Sequence, residues 1–180
     1  WQSTSSSPPG TQAWPLAMNW PSCRRSVVAN AMVAIQLEAE PFEPLHALAE
    51  WHQLLAAELG MLPAAESHFV GRVRPSDAND APLTALELEH YPGMSEACIA
   101  SLAAATADRH GATAVLVRHR IGLVLPGNAI VLVAVAADRR GPAQRCCQEL
   151  LEALKHDAPF WKREWHADGS SAWITGNTPL

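Results

Sequence analysis

The sequence predicts an α+β fold, built on a mainly antiparallel sheet with flanking helices. Three helical patterns are separated by pairs of strand-like segments, and consecutive strands in such an order usually pair as hairpins. A doubly wound fold would instead alternate single strands with helices. The chain has 180 residues, which suits one ordinary domain with enough apolar side chains for a core.

The first 31 residues differ in composition from the rest of the chain. They are rich in Ser, Pro and Trp, and the first acidic residue of the chain is Glu38. They show neither helical nor alternating periodicity, which is typical of disorder. We therefore expect residues 1–31 to form a disordered extension and residues 32–180 to form the folded domain. An acid-free leader with Arg24 and Arg25 is also compatible with a targeting segment.

Periodicity predicts the first strands and the first helix. Residues 32–37 alternate weakly, as in a short strand. Residues 45–59 place apolar side chains on one helical face, and Gly60 follows as a stop signal. Residues 67–74 predict a second strand, whose internal Gly71 is typical of a β-bulge or a close backbone approach. The predicted helical face consists of Leu45, Leu48, Ala49, Leu55, Ala56 and Leu59.

Similar patterns continue through the middle of the chain. Residues 83–91 alternate as a strand, and Ser95 is the predicted N-cap of a helix that ends at Gly111. Residues 114–121 and 130–137 predict two strands joined by a Pro-Gly-Asn turn.

The last long helix is expected between two prolines. Pro142 suits the first turn of a helix, and Pro159 forces an end near Asp157 or Ala158. A tail with two tryptophans predicts a final strand. The predicted apolar face of the helix consists of Ala143, Cys146, Cys147, Leu150, Leu151 and Leu154.

Composition excludes several classes of function. The formal net charge of −5 argues against a general nucleic-acid-binding surface. No apolar stretch reaches the length of a membrane span. The cysteines form no CxxC pair and no cluster with ligand spacing, so we expect reduced thiols in a cytosolic protein and no metal site. The four cysteines are Cys23, Cys98, Cys146 and Cys147.

The chain contains only two lysines, Lys155 and Lys162, and every other basic side chain is arginine or histidine. Lysine provides a compact anion anchor, or an amine whose pKa falls when it is desolvated, and arginine does neither well. Pro159 prevents the two lysines from sharing one helix, and predicts a turn that folds residues 160–162 back beside the helix end. The alternative is two ordinary surface lysines near a helix C-terminus.

Two arginine pairs are further candidates for binding an anion. Arg72 and Arg74 alternate along a strand, which points both side chains to the same side, where they suit phosphate or carboxylate. Arg139 and Arg140 follow the most hydrophobic strand and open the last helix, whose N-terminus adds positive potential. Solvated charge at a strand end is the alternative for each pair.

The remaining polar candidates are less specific. Glu87, Glu89 and His90 form a possible acid/base set, although the glutamates also fit a solvated strand face. For His119 and Arg120, at the end of a strand, a structural hydrogen bond is the better explanation. The sequence contains no phosphate-binding glycine loop and no Ser-His-Asp signature.

Several runs of this sequence resemble the large, catalytic subunit of molybdopterin synthase. The most specific are Glu-His-Tyr-Pro-Gly-Met at 89–94 and Ala-Pro-Phe-Trp-Lys-Arg-Glu at 158–164. The resemblance extends in order and spacing from about residue 32 to residue 173. Supporting runs lie at 69–74, 119–122, 126–127 and 137–140.

The resemblance implies an enzyme of molybdenum cofactor biosynthesis. Such an enzyme installs two dithiolene sulfurs in cyclic pyranopterin monophosphate and so forms molybdopterin. The sulfur comes from a C-terminal Gly-Gly thiocarboxylate on a small ubiquitin-like partner subunit. The resemblance also implies a hammerhead-type α+β fold, a homodimer within a heterotetramer, and no metal or cofactor of the enzyme's own. The expectation of reduced thiols predicts a cytoplasmic location.

Carried onto this sequence residue by residue, the resemblance makes Lys155 and Lys162 the catalytic pair. The chain departs from the family at Arg139, where histidine is usual, and at Asn128, where an acidic residue is usual. The substrate-binding residues that the resemblance implies are Arg72, Val73, Arg74, Arg139, Arg140, Lys155, Lys162, Arg163 and Glu164.

Two other functions are compatible with the same residues. A non-catalytic binding module would use the basic side chains to hold an anionic partner tail or a phosphorylated metabolite, and Arg139 raises that alternative. A different transferase acting on a phosphorylated small molecule would require the motif match to be accidental.

Overall fold

The structure is a computed structural model that describes residues 31–174. Residues 1–30, which carry nearly all of the expected N-terminal extension and Cys23, lie outside the described residues. The described helices are α1 Pro44–Leu59, α2 Met94–His110 and α3 Arg140–Asp157. The described strands are β1 Met32–Glu38, β2 Ala65–Arg72, β3 Leu83–His90, β4 Ala114–Arg120, β5 Gly122–Val124, β6 Ala129–Ala137, β7 Phe160–His166 and β8 Ser171–Trp173.

The strands form two four-stranded sheets. The first sheet has the order β1-β4-β6-β2, and the second has the order β5-β3-β7-β8. Strand β1 runs parallel to β4, whereas the other strand pairs of both sheets are antiparallel. The predicted α+β class with a mainly antiparallel arrangement is therefore confirmed, although the strands divide between two sheets.

The first sheet has two ends with different roles. Arg72 pairs with Ala129, and His119 pairs with Val131, at what we call the upper end. Ala65 pairs with Ala137 at the lower end. Helix α3 begins directly after β6 at the lower end and packs on β2 and β6 as it returns to the upper end. This path carries Lys155 to the end where Arg72 and His119 lie.

Helices cover both faces of the first sheet. Helices α2 and α3 cover one face, where Val115, Val117 and Leu150 belong to one buried cluster. Helix α1 covers the opposite face through a second buried cluster. Burying these faces is the main source of stability, since each fully buried large aliphatic side chain contributes roughly 1.5–3 kcal/mol.

The face of α1 was only partly predicted. Leu48 and Leu55 are buried, but Leu45 and Leu59 are 76% and 40% exposed. Trp51, only 3% exposed, takes a central place instead. The buried stripe follows the helical spacing through Trp51, which a pattern built on leucine and alanine overlooks. Its members are Pro44, Ala47, Leu48, Trp51 and Leu55.

Two local predictions in the middle of the chain were wrong. Helix α2 begins at Met94 with Gly93 as its N-cap, so Ser95 lies inside the first turn. Gly93 takes a φ of 81°, a conformation that favours glycine, and the helix therefore begins two residues earlier than predicted. Strand β5 was not predicted, because three residues are too few to show alternation.

Other local signals are confirmed. Helix α3 ends at Asp157, and Ala158 is extended ahead of Pro159. The pairing between β2 and β6 shifts register between Gly71 and Arg72, as a bulge does. A Cβ on Gly71 would lie 2.9 Å from Val131 Cγ1, so the neighbouring strand also requires the small residue.

The described cysteines are free thiols. Cys146 and Cys147 are buried on α3, and Cys98 is partly buried. Burial raises the pKa of the Cys146 thiol to about 11 and also raises the pKa of Cys147. Neutral, inaccessible thiols of this kind are packing residues of the core.

Candidate active site

The two lysines come together where α3 ends and β7 begins. Lys155 lies in the last turn of α3, and Lys162 lies on β7 opposite Leu88 of β3. Burial lowers the pKa of Lys162, and the positive charge of Lys155 lowers it further. The predicted turn at Pro159 thus sets a partly dehydrated ammonium beside a second cation.

The start of α2 holds that turn in place. Ser95, fully buried, donates its hydroxyl to the Pro159 carbonyl at 3.2 Å and accepts the Tyr91 N–H at 3.1 Å. The Cys98 thiol also approaches the Asp157 carbonyl at 3.6 Å. The backbone between the two lysines is therefore tied to a helix that contains neither of them.

His119 lies against the same turn, and sequence reasoning did not place it in the site. Its ring stacks on Phe160 with centroids 4.1 Å apart and planes 15° apart. Its Nδ1 donates to the Arg120 carbonyl at 2.7 Å, so the predicted structural hydrogen bond is confirmed. Burial lowers the pKa of His119 to about 4, although the hydrogen bond to the Arg120 carbonyl opposes this shift. The positive charge of Lys162 and the nearness of His90 lower the pKa further. The ring is therefore neutral at pH 7.

Arg72 and Arg74 occupy the upper end of the first sheet, as does the lysine pair. Both side chains are exposed on either side of Val73, which agrees with the predicted alternation. The Arg72 Nη1 donates to the Gly127 carbonyl at 3.3 Å. Val73 is only 4% exposed, and its side chain packs in the core of the second sheet with Leu88. Any contact of Val73 with a substrate is therefore through its backbone.

Arg139 and Arg140 lie at the opposite end of α3 from Lys155. Both are exposed at the lower end of the first sheet. At 1.5 Å per residue, the helix separates Arg140 from Lys155 by roughly 22 Å. One chain alone does not bring this arginine pair to the lysines.

Arg163 projects from the opposite face of β7 to Lys162. Its guanidinium lies 3.3 Å from Glu87 and 3.1 Å from Glu89, and 4.2 Å from the Trp173 ring centroid. Glu164 lies on the same strand face as Lys162 and is partly buried.

These contacts divide the possible acid/base set of β3. Glu87 and Glu89 form ion pairs with Arg163 on one face of β3. His90 lies on the other face, with Leu88, and is close enough to His119 to lower its pKa. The glutamates are thus ion-paired, not simply solvated. His90 borders two clefts of about 430 and 330 Å³. The larger is lined by Ala39, Leu88, Glu89, His90, Ile121 and Gly122, and the smaller by Glu89, His90, Tyr91, Trp161 and Trp173.

The arrangement suits anionic ligands. Four cations from three segments, Arg72, Arg74, Lys155 and Lys162, lie toward the upper end of the sheet in a chain of net charge −5. Within residues 31–174, no three His, Cys, Asp or Glu side chains are grouped to hold a metal ion. None of the helices in that range is long and apolar enough to cross a membrane.

A family model described as MoaE protein matches residues 29–157, well over half of the chain. This chain belongs to the MoaE family. The sequence resemblance to the catalytic subunit of molybdopterin synthase is thereby confirmed.

Relatives and solved structures agree with the family. The molybdopterin synthase catalytic subunit of Ralstonia nicotianae is 42% identical over 127 residues, which are 67% of this chain and 70% of that protein. The subunit from Rhizobium meliloti is 47% identical over 94 residues, or 52% of this chain and 61% of that protein.

The MoaE protein of Burkholderia ambifaria has a TM-score of 0.65 at 36% identity, covering 82% of this chain and 92% of that one. A complex of subunits 1 and 2 of the molybdopterin-converting factor from Helicobacter pylori includes a chain with the same fold. That likeness has a TM-score of 0.63 at 21% identity, over 81% of this chain and 91% of that one.

Proposed function

We propose that this MoaE chain is the catalytic subunit of a molybdopterin synthase. It transfers sulfur from the C-terminal Gly-Gly thiocarboxylate of a small ubiquitin-like subunit to cyclic pyranopterin monophosphate. The observation that carries the proposal is the convergence of Lys155 and Lys162 beside a turn that buried Ser95 holds. Both reactants are anionic, and a cluster of cations in an acidic chain is what they require.

The two lysines differ in environment and therefore in role. Lys155 orients and polarises the thiocarboxylate, so that its sulfur attacks a carbon of the substrate and displaces an oxygen from that carbon to give a thioester. Water then hydrolyses the thioester, which leaves the sulfur on the substrate and the tail as a carboxylate. Lys162 is partly buried and lies beside Lys155, which lowers its pKa in the free chain. Its role is to bind the substrate phosphate and to balance charge as it develops. Bound phosphate favours the ammonium form of Lys162. Arg74 supports the phosphate from the loop after β2.

A second copy of the chain completes the proposed site. Arg140 lies roughly 22 Å along α3 from Lys155, too far to hold the same small substrate in one chain. In the homodimer that the resemblance implies, Arg139 and Arg140 of one subunit reach the lysine pair of the other. The small subunit binds at each end to give a heterotetramer. Residues 32–180 form the catalytic domain, and a cytoplasmic location remains our prediction.

Complementation between two inactive variants tests this sharing. Lys155→Ala and Arg140→Ala should each abolish molybdopterin formation. Mixed under conditions that exchange subunits, they should regain part of the wild-type rate, because half of the sites in a mixed dimer are intact. Failure to regain activity in verified mixed dimers would show that both residues act within one chain.

The function itself is tested by mixing the purified chain with a thiocarboxylated small subunit and cyclic pyranopterin monophosphate. We expect molybdopterin from the wild type and none from Lys155→Ala. Arg145→Ala, which removes an exposed cation from the same helix, is the matched control and should retain activity. Partner binding without product in the wild type would favour the binding module, and Arg139→His would then be the variant to assay.

A further inference from the structure

His119 ends a row of buried side chains that otherwise contains only valine. Val115, Val117 and His119 alternate along β4 on the face that α2 and α3 cover. His119 is 9% exposed, and its ring lies on Phe160. Phe160 and Lys162 are alternate residues of β7 and share a strand face. The imidazole therefore packs against the face of β7 from which Lys162 projects.

The ring is held in one orientation. Because a carbonyl can only accept, the 2.7 Å contact with Arg120 O places the proton on Nδ1 and leaves Nε2 as the acceptor atom. The Arg120 side chain is itself fixed by three backbone carbonyls. It donates to Glu38 O at 3.0 Å, Ala39 O at 2.8 Å and Leu123 O at 3.0 Å. These bonds anchor residue 120, whose own carbonyl accepts the His119 N–H.

The titratable groups near Lys162 come from three other elements. Lys155 faces it from α3, His119 from β4, and His90 lies beside His119 on β3. His119 is kept neutral by burial, so the ring adds bulk without adding a further positive charge. A hydrated cavity in its place would let water solvate the ammonium.

We propose that His119 is a positioning residue for Lys162. Its neutral ring, fixed on Phe160 and on the Arg120 carbonyl, closes one side of the Lys162 amine to water and sets where that amine points. The effect on the amine is a property of the folded chain. Only its consequence for sulfur transfer rests on the proposed function.

The two-lysine composition makes a direct test possible. Protein labelled with ¹³C-lysine gives side-chain signals from Lys155 and Lys162 alone, and Lys155→Gln assigns them. Titration by NMR then yields the pKa of each amine without substrate or partner. In the wild type, the pKa of Lys162 should lie below that of an ordinary lysine, near 10.4.

Three histidine variants distinguish water exclusion from a general loss of structure. His119→Ala should raise the Lys162 pKa towards that of an ordinary lysine, because water reaches the ammonium. His119→Phe should keep that pKa low, because an aromatic ring still covers the amine. His68→Ala removes a half-exposed histidine of β2 and should change nothing. If His119→Ala does not fold, His119→Gln takes its place, with a rise expected.

An unchanged Lys162 pKa in a folded His119→Ala or His119→Gln protein would overturn the proposal. So would an equal rise in His119→Phe. In the molybdopterin assay, the limb of the pH profile that reports Lys162 should move in the same direction as the NMR midpoint. Should the wild type make no molybdopterin while His119→Ala still shifts the titration, the proposed function fails and the positioning role stands.

Discussion

At the scale of single residues, His119 links the site to acid stability. Its pKa is about 4 in the fold and near 6.5 in an unfolded chain, so the unfolded state takes up the proton first as pH falls. Stability is complete above about pH 6.5 and is lost as the pH falls towards 4. At about 1.4 kcal/mol per pKa unit, the loss approaches about 3 kcal/mol.

Replacing His119 with phenylalanine should therefore flatten the pH dependence of stability in that window. Urea unfolding at pH 7 and at pH 4.5 measures the difference for each protein. His68→Ala, at an exposed site, should show the same change in the free energy of unfolding between the two pH values as the wild type. If His119→Phe and the wild type lost equal stability between pH 7 and pH 4.5, His119 would not be the group whose titration causes the loss.

Lys162 should not tolerate replacement by arginine. The planar guanidinium is bulkier than the compact ammonium and would not fit the partly buried place that Lys162 occupies on β7. We expect Lys162→Arg to lower kcat by at least about 100-fold, within the range for a misplaced charged catalytic group. Steady-state kinetics measures this, with Arg145→Lys as the charge-conserving control. A near-normal kcat in Lys162→Arg would refute the need for a compact ammonium at this position.

The residue scale also shows what the sequence could and could not predict. The rarity of lysine and the position of Pro159 were enough to single out Lys155 and Lys162. His119 was interpreted only as a structural residue, because its stack on Phe160 joins two strands far apart in the chain. No local spacing reports such a contact.

At the scale of elements, Ser95 holds the lysine-bearing turn to α2. Ser95→Ala leaves the Pro159 carbonyl and the Tyr91 N–H without their partner. Buried groups left unpaired cost about 1–3 kcal/mol, so the free energy of unfolding should fall by that amount. Chemical denaturation measures it, with exposed Ser101→Ala of the same helix as control. Similar free energies of unfolding for the two variants would mean that the two Ser95 hydrogen bonds contribute nothing to stability.

Helices and single strands were largely predictable, because their periodicity is local. The division into two sheets was not, since the parallel pairing of β1 with β4 joins distant segments. The length of α3 was predicted from two prolines, but the resulting distance between Arg140 and Lys155 was not considered. A helix that spans the sheet necessarily separates Arg140 from Lys155.

At the scale of the whole molecule, an acidic chain gathers Arg72, Arg74, Lys155 and Lys162 toward one end of its first sheet. The second sheet packs at that end, because β3 and β5 follow the ends of β2 and β4. The net charge follows from composition alone, whereas the topology shows that these four cations lie toward the same end of the sheet. Such local concentration attracts anionic partners despite the overall sign.

The central claim is that this chain transfers sulfur and that Lys155 is essential. A single-turnover assay tests it most directly, following the mass of the small-subunit tail and molybdopterin together. The account predicts that the wild type converts the thiocarboxylate to a carboxylate as molybdopterin appears. A folded Lys155→Ala protein that still binds the small subunit should do neither. Molybdopterin formed by that variant at the wild-type rate would contradict the account.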